Sequence, residues 1–247
     1  MSRSRLYRVS AIVIRQRDLG ETDRIVTLLT RERGKLSAVG KGVRRPRSKL
    51  AGGLQLFCHA QVQLAAGRSL EVVTQVAPAN VFYHLREDMA RFGHASYACE
   101  LVDALTEEAA PDPEVFGLTL EALSALDGEG DPRTVVRALE LKLLTHLGYG
   151  PEMETCVACG VEAEGAEIGF STAEGGVLCG RCRRAHGAAP LGAGVLRAMR
   201  DLLSFPVAEL AGRRLSAAPA EELERIMRAY VDYRVERPLR SAPFLSR

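Results

Sequence analysis

Apolar residues recur with a period near two over roughly the first eighty positions and with a helical period beyond them. Leu6–Arg15 (LYRVSAIVIR) is rich in β-branched residues and leads into a polar turn at 17–21. Asp23–Thr30 (DRIVTLLT) follows, then a tight charged turn at 31–34 and Lys35–Val39 (KLSAV). After a long connection Ala60–Ala65 (AQVQLA) alternates, and Gly67–Arg68 turns it into Leu70–Val76 (LEVVTQV), a hairpin by spacing and turn chemistry. Five short strands with no amphipathic helix between them predict a small closed barrel, because an open sheet of this size leaves long edges unpaired. The OB-fold is the five-stranded member of that class; an SH3-like barrel fits the same pattern.

From Asn80 the spacing is helical, with Leu85, Met89, Phe92, Ser96 and Cys99 three or four apart and Leu101 and Leu105 continuing the apolar face. Pro111 and Pro113 punctuate, and a second helix is expected from Glu114 to Leu126. Asp131-Pro132 is a strong helix start, a capping side chain before a proline at the first helical position. Val135, Val136, Leu139, Leu143 and Leu147 form the stripe of that helix, and Gly148 stops it. Val195–Leu203 and Pro219–Arg237 supply two more. Antiparallel packing into a helical bundle would bury these stripes. The expected organisation is a barrel at 1–80, a bundle made of 81–150 and 190–247, and an inserted module at 151–189.

The 247 residues, 47% hydrophobic and 26% charged, suit a globular chain of one to three domains. No stretch approaches eighteen consecutive apolar residues, and the run Val9–Ile14 is too short for a secretory signal, so a cytoplasmic location off the membrane is expected. The net charge of +2 conceals a division: residues 1–86 hold sixteen Lys and Arg against five Asp and Glu, whereas the remainder carries an acidic excess of nine. Such segregation points to a polyanion partner for the first part.

The sharpest chemical signal is Cys156-Val-Ala-Cys159, nineteen intervening residues, and Cys179-Gly-Arg-Cys182. Two C-x-x-C knuckles at this separation match zinc-ribbon spacing, and four thiolates complete a tetrahedron with no position left for water or substrate. One structural zinc is therefore expected, with a hairpin of Glu167–Ser171 and Val177–Leu178 between the knuckles, too small to fold without the ion. A thioredoxin-like role lacks its βαβ context. His186 stands four residues past Cys182 as an alternative ligand, and Cys58 and Cys99 read as small core residues.

Lys41–Lys49 (KGVRRPRSK) carries five cations in nine residues, and Gly42 and Pro46 argue for a loop and not a helix. Positive loops beside a barrel face are how OB-folds track a phosphate backbone. With only Tyr7 and Phe57 as aromatics before residue 81 and no Trp, binding should be electrostatic and indifferent to sequence. Engagement of about six to ten phosphates would cost roughly 10³–10⁵-fold in affinity between about 50 and 200 mM salt.

Catalytic motifs are missing: no G-x-x-x-x-G-K-[ST], H-E-x-x-H, G-x-S-x-G or G-x-G-x-x-G occurs. His59, His84, His94 and His146 stand alone. Ten acids and no Lys or Arg lie between Glu100 and Asp131; helical spacing makes them solvated faces, with a metal-dependent nuclease as the enzymatic alternative. An RNA-binding or translation-associated barrel protein is the other alternative.

The stretch AIVIRQRDLGETDRIVTLLTRERGKLSAVGKGVRRPRSKLAGGLQ and the closing ERPLRSAPFL resemble the bacterial RecO family of recombination mediators. The resemblance covers nearly the whole chain. It implies an N-terminal OB-fold, a helical bundle and a zinc module. It also implies a non-enzymatic protein that binds single- and double-stranded DNA and anneals complementary strands without ATP. With RecR, such a protein helps load RecA onto DNA coated by the single-strand-binding protein SSB. The SSB C-terminal tail is expected on the helical bundle. Lys35, Lys41, Arg44, Arg45, Arg47 and Lys49 lie in the family's basic barrel segment and are the expected DNA contacts.

Overall fold

Five strands close into a barrel: β1 (Leu6–Leu19), β2 (Asp23–Thr30), β3 (Gly34–Gly40), β4 (His59–Ala65) and β5 (Glu71–Asn80), in the order β1-β2-β3-β5-β4. The structure is a computed structural model that describes residues 6–67, 69–163, 167–210, 212–235 and 238–245. Arg68 of the expected hairpin turn and the Arg237 end of the last expected helix lie outside the described residues. The long β1 makes closure possible, since Leu6–Ile12 pairs with β4 while Ala11–Leu19 pairs with β2. The β3–β5 seam is parallel, Ala38 opposite Glu71 and Val39 opposite Val72; the other pairings are antiparallel. This is an OB-type barrel, as the strand pattern predicts.

Alternation decides what fills it. Val9, Ala11, Val13, Val26, Leu28, Ala38, Ala60, Val62, Leu64 and Val73 form one buried cluster, joined by Val43, Leu54 and Cys58 from the connection between β3 and β4. That connection therefore seats apolar side chains in the barrel instead of hanging free. Each fully buried Val or Leu contributes about 1.5–3 kcal/mol of transfer free energy.

The chain divides into two compact units, Met1–Asp127 with Arg240–Arg247, and Gly128–Leu239. The first holds the barrel, α1 (His84–Glu87), α2 (Met89–Leu105), α3 (Pro113–Asp127) and a closing 3-10 turn, Ala242–Phe244. The helical run expected from Asn80 is broken at Asp88. Its backbone is extended (φ −104°, ψ 118°), and its carboxylate accepts the N–H groups of Ala90 and Arg91, capping α2. Met89 consequently leaves the apolar face and is 83% exposed. Within this unit Glu100 on α2 accepts hydrogen bonds from Arg240 N (3.0 Å) and Ser241 N (2.8 Å), which ties down the end of the chain.

The second unit holds α4 (Pro132–His146), the hairpin β6 (Gly169–Ser171) and β7 (Gly176–Leu178), α5 (Gly180–Ala185), α6 (Ala193–Ser204), α7 (Val207–Leu210) and α8 (Ala217–Arg234). Asp131 caps α4 by accepting from Thr134 N at 3.1 Å, and Gly148 follows the helix at φ +81°. Val135, Val136, Leu139 and Leu143 are buried against α6 and α8. The expected organisation gathers all helices into one bundle around the inserted module. Here α2 and α3 share a unit with the barrel, while α4 and α6–α8 share one with the cysteine hairpin.

Candidate metal centre and nucleic-acid interface

The two C-x-x-C knuckles meet. The sulfurs of Cys156, Cys159, Cys179 and Cys182 all lie within 4.8 Å of one another, and Cys159 and Cys179 Sγ are 3.7 Å apart. Tetrahedral Zn–S bonds of about 2.3 Å place sulfurs about 3.8 Å apart, so the donor set fits such an ion and can hold a metal. Backbone geometry builds each knuckle. Gly160 sits at φ +72° and donates its N–H to Cys156 O at 2.8 Å; Cys179 precedes α5, whose first turn carries Cys182. The pair Val157 N→Val177 O and Val177 N→Glu152 O stitches the first knuckle to β7. Burial works to raise the Cys156 thiol, but N–H groups of Cys179, Ala158 and Cys159 bring it down to about 6. Hydrogen bonding to Cys159 and burial push Cys182 up to about 12. His186 is not in the cluster; its Nδ1 lies 2.9 Å from Glu174 Oε1.

The basic loop is exposed yet ordered. Lys41, Arg44, Arg45, Arg47 and Lys49 all face solvent, while Val43 and Leu54 anchor the connection in the barrel. Asp23 accepts the Gly42 N–H at 2.7 Å, and that bond, with Thr22 and the nearby cations, holds its carboxyl below the usual carboxylate range. Gly42 takes φ +64°, and successive turns run Arg45 N→Gly42 O and Ser48 N→Arg45 O. Arg44 leans on Asp18 (3.4 Å); Lys41, Arg45, Arg47 and Lys49 form no ion pair among the described residues.

Lys35 departs from the expected set. It is 8% exposed, and its Nζ donates to Asp103 O (2.5 Å) and Thr106 O (2.7 Å) and pairs with Asp103 Oδ1 (3.1 Å). A charge already desolvated and matched in this way is poorly placed for a phosphate, which sets Lys35 apart from the five exposed cations of the loop.

Two cations missed by the sequence reading stand on the outer face of the sheet. Val9, Ala11 and Val13 point inward, and strict alternation would send Arg15 and Arg17 into the core after them. The register of β1 against β2 shifts between Val13 and Arg15, a bulge that moves the phase by one. Arg15 then stands opposite Thr27, which stands opposite Ser37, while Arg17 stands opposite Ile25. These residues, with Gln16, line a cavity of about 170 Å³. The readable signal was two arginines in phase with an apolar row.

Five of the ten acids of 100–131 take structural posts: Glu100 holds the Arg240–Ser241 backbone, Asp103 meets Lys35, Asp112 caps α3, Asp127 accepts the Leu85 N–H and Asp131 caps α4. Among the described residues the four cysteines are the one group of three or more Cys, His, Asp or Glu gathered for a metal. Of the solitary histidines, His59 Nε2 lies 2.8 Å from Ser10 Oγ, and burial lowers its pKa. Cys58 and Cys99 are buried, as expected; burial pushes the Cys58 thiol up to about 11 and raises Cys99 as well. No described helix is long and apolar enough to cross a membrane.

An OB-type barrel with a cationic loop, followed by helices and a four-cysteine cluster, defines a class by architecture: a small closed β-barrel joined to helices and a cysteine-knuckle hairpin. Comparison with known proteins narrows the class. The family model described as Recombination protein O N terminal matches residues 1–82, and Recombination protein O C terminal matches 86–243. The chain is 43% identical to the DNA repair protein RecO of Symbiobacterium thermophilum over 97% of this chain and 96% of that one. It is 42% identical to that of a Roseiflexus species (98% and 86%) and 40% to that of Pelotomaculum thermopropionicum (98% and 94%). The chain belongs to the RecO family.

Proposed function

We propose that this protein is a DNA-binding recombination mediator with no catalysis of its own. It anneals complementary strands and, with RecR, helps load RecA onto SSB-coated single-stranded DNA. Membership of the RecO family supports this reading. The observation that carries it is the display of Lys41, Arg44, Arg45, Arg47 and Lys49 on one ordered, solvent-facing loop of the barrel. Phosphates of two strands repel each other; a cationic surface without base readout lowers that repulsion and leaves the Watson–Crick edges free to pair. The barrel of residues 1–80 is the DNA-binding part. The helical parts recruit, taking the acidic C-terminal tail of SSB, and the four cysteines hold one structural zinc. Double-stranded DNA binds through the same phosphates, and the protein works in the cytoplasm, on the nucleoid when bound.

Strand annealing and oligonucleotide binding across a salt series, with and without SSB, test the reading. Five phosphate contacts on a single strand give a slope of log K against log salt of about −3.5, or about a hundredfold loss between about 50 and 200 mM. The triple substitution Arg44→Ala, Arg45→Ala, Arg47→Ala should reduce that slope by about two while the thermal melt stays unchanged. Equal affinity for RNA with no acceleration of DNA annealing would favour an RNA-binding role instead.

A further inference from the structure

We infer that the cleft on the outer face of β1–β3, walled by Arg15, Arg17, Thr27 and Ser37, is a seat for one phosphate of a bound nucleic-acid backbone. The inference rests on the reading of the barrel as a DNA-binding part and extends it to a surface separate in sequence from the basic loop. Three observations, together with the ordinary spacing of strands, build the seat. The register puts Arg15, Thr27 and Ser37 in one row across three adjacent strands, with Arg17 two residues further along β1 on the same face. Neighbouring strands are about 4.8 Å apart and same-face residues about 6.8 Å apart, so this face sets two guanidinium groups of β1 beside two hydroxyls of β2 and β3 at the scale of a phosphate. The cavity they line holds about 170 Å³, shared with Gln16 and Ile25. Finally, the bulge after Val13 turns both arginines outward, at the cost of an interrupted ladder.

Charge points the same way. Arg15 lies 3.6 Å from Asp103, whose single negative charge already faces Lys35 at 3.1 Å, so that group of three is net positive. Arg17 is exposed and forms no ion pair among the described residues. An Arg guanidinium presents paired N–H donors that match phosphate oxygens, and Thr and Ser hydroxyls donate to the remaining ones. With one apolar wall residue, Ile25, and no aromatic side chain in the lining, the cleft suits a phosphodiester and gives a base little to stack on.

The test uses the full chain and a fluorescein-labelled oligo(dT), with melting curves to establish that each variant is folded. Arg17→Gln should weaken binding about tenfold and lower the salt slope by about 0.7, the share of one single-strand phosphate. Thr27→Val with Ser37→Ala changes no charge and should weaken binding a few-fold with little change in slope. Loss with Arg17→Gln but none with the hydroxyl pair would reduce the cleft to part of a diffuse positive field and overturn the seat. No change in either, while the loop triple variant weakens binding, would overturn it and leave the DNA-binding reading standing. Failure of the unaltered protein to bind any oligonucleotide would sink that reading and this inference together. In a separate arm, amide resonances of Thr27 and Ser37 are followed by NMR during titration with the oligonucleotide and with inorganic phosphate at constant ionic strength. Shifts with the oligonucleotide support a backbone seat; shifts with inorganic phosphate alone would mark a site for the free anion and overturn it.

Discussion

Lysine at position 35 brings one charge into the first unit's interior, where Asp103 and two carbonyl oxygens receive it. Replacing it by methionine keeps the bulk and takes from Asp103 a cation at 3.1 Å, while Arg15 remains at 3.6 Å. Removing one partner of a buried pair costs about 3–5 kcal/mol, and the residual Arg15 contact places Lys35→Met near the lower end, about 3 kcal/mol by urea denaturation. Oligonucleotide affinity of the still-folded variant should fall less than that of the loop triple variant, because a buried lysine acts on bound DNA only through the charge of Asp103 beside Arg15. His59 supplies a second residue-scale expectation. Burial lowers its pKa below the ordinary 6.5, so the unfolded chain binds the proton more readily. Stability from this group is complete above 6.5 and is lost as pH falls through the folded value. Urea midpoints for wild type should therefore drop more steeply on acidification than those of His59→Gln. Neither behaviour is legible in the residue alone: Lys35 sits in a cationic stretch of sequence, and its partner Asp103 is 68 positions away.

At the scale of elements, local patterns are legible wherever a few neighbouring residues settle the conformation. The five strands, the Asp131-capped helix and the hairpin between the knuckles follow the alternation, capping chemistry and turn residues that announced them. The short α5 and α7 escaped because elements of six and four residues hold too few periods to show in a pattern. Asp88 divided an apparently continuous helix because its carboxylate serves α2 as a cap, a choice that competes with continuation at little local cost. The knuckles carry the element-scale prediction. Cys179→Ser should take the proposed zinc from one equivalent to none by elemental analysis and raise amide exchange through β6, β7 and α5. Retention of the full equivalent would mean that the ligands are assigned wrongly.

For the whole molecule, the division into two units predicts how it loses structure. A four-thiolate zinc carries an apparent binding free energy of about 10–16 kcal/mol, as large as the entire stability of an ordinary domain at about 5–15 kcal/mol. Chelation should lower the melting temperature of the unit containing the cysteines, leave the barrel's transition where it was, and spare oligonucleotide binding. A single transition shifting as a whole would contradict that independence. The barrel, the cysteine spacing and the position of the basic loop were determined by the sequence itself, since each depends on alternation, turn chemistry or ligand spacing within a short reach. Tertiary structure alone decided which cations are free, which face Arg15 and Arg17 take after the bulge, and which helices pack with which unit. Those outcomes turn on burial and on partners far along the chain, where the gain from a contact exists only once distant segments have been brought together.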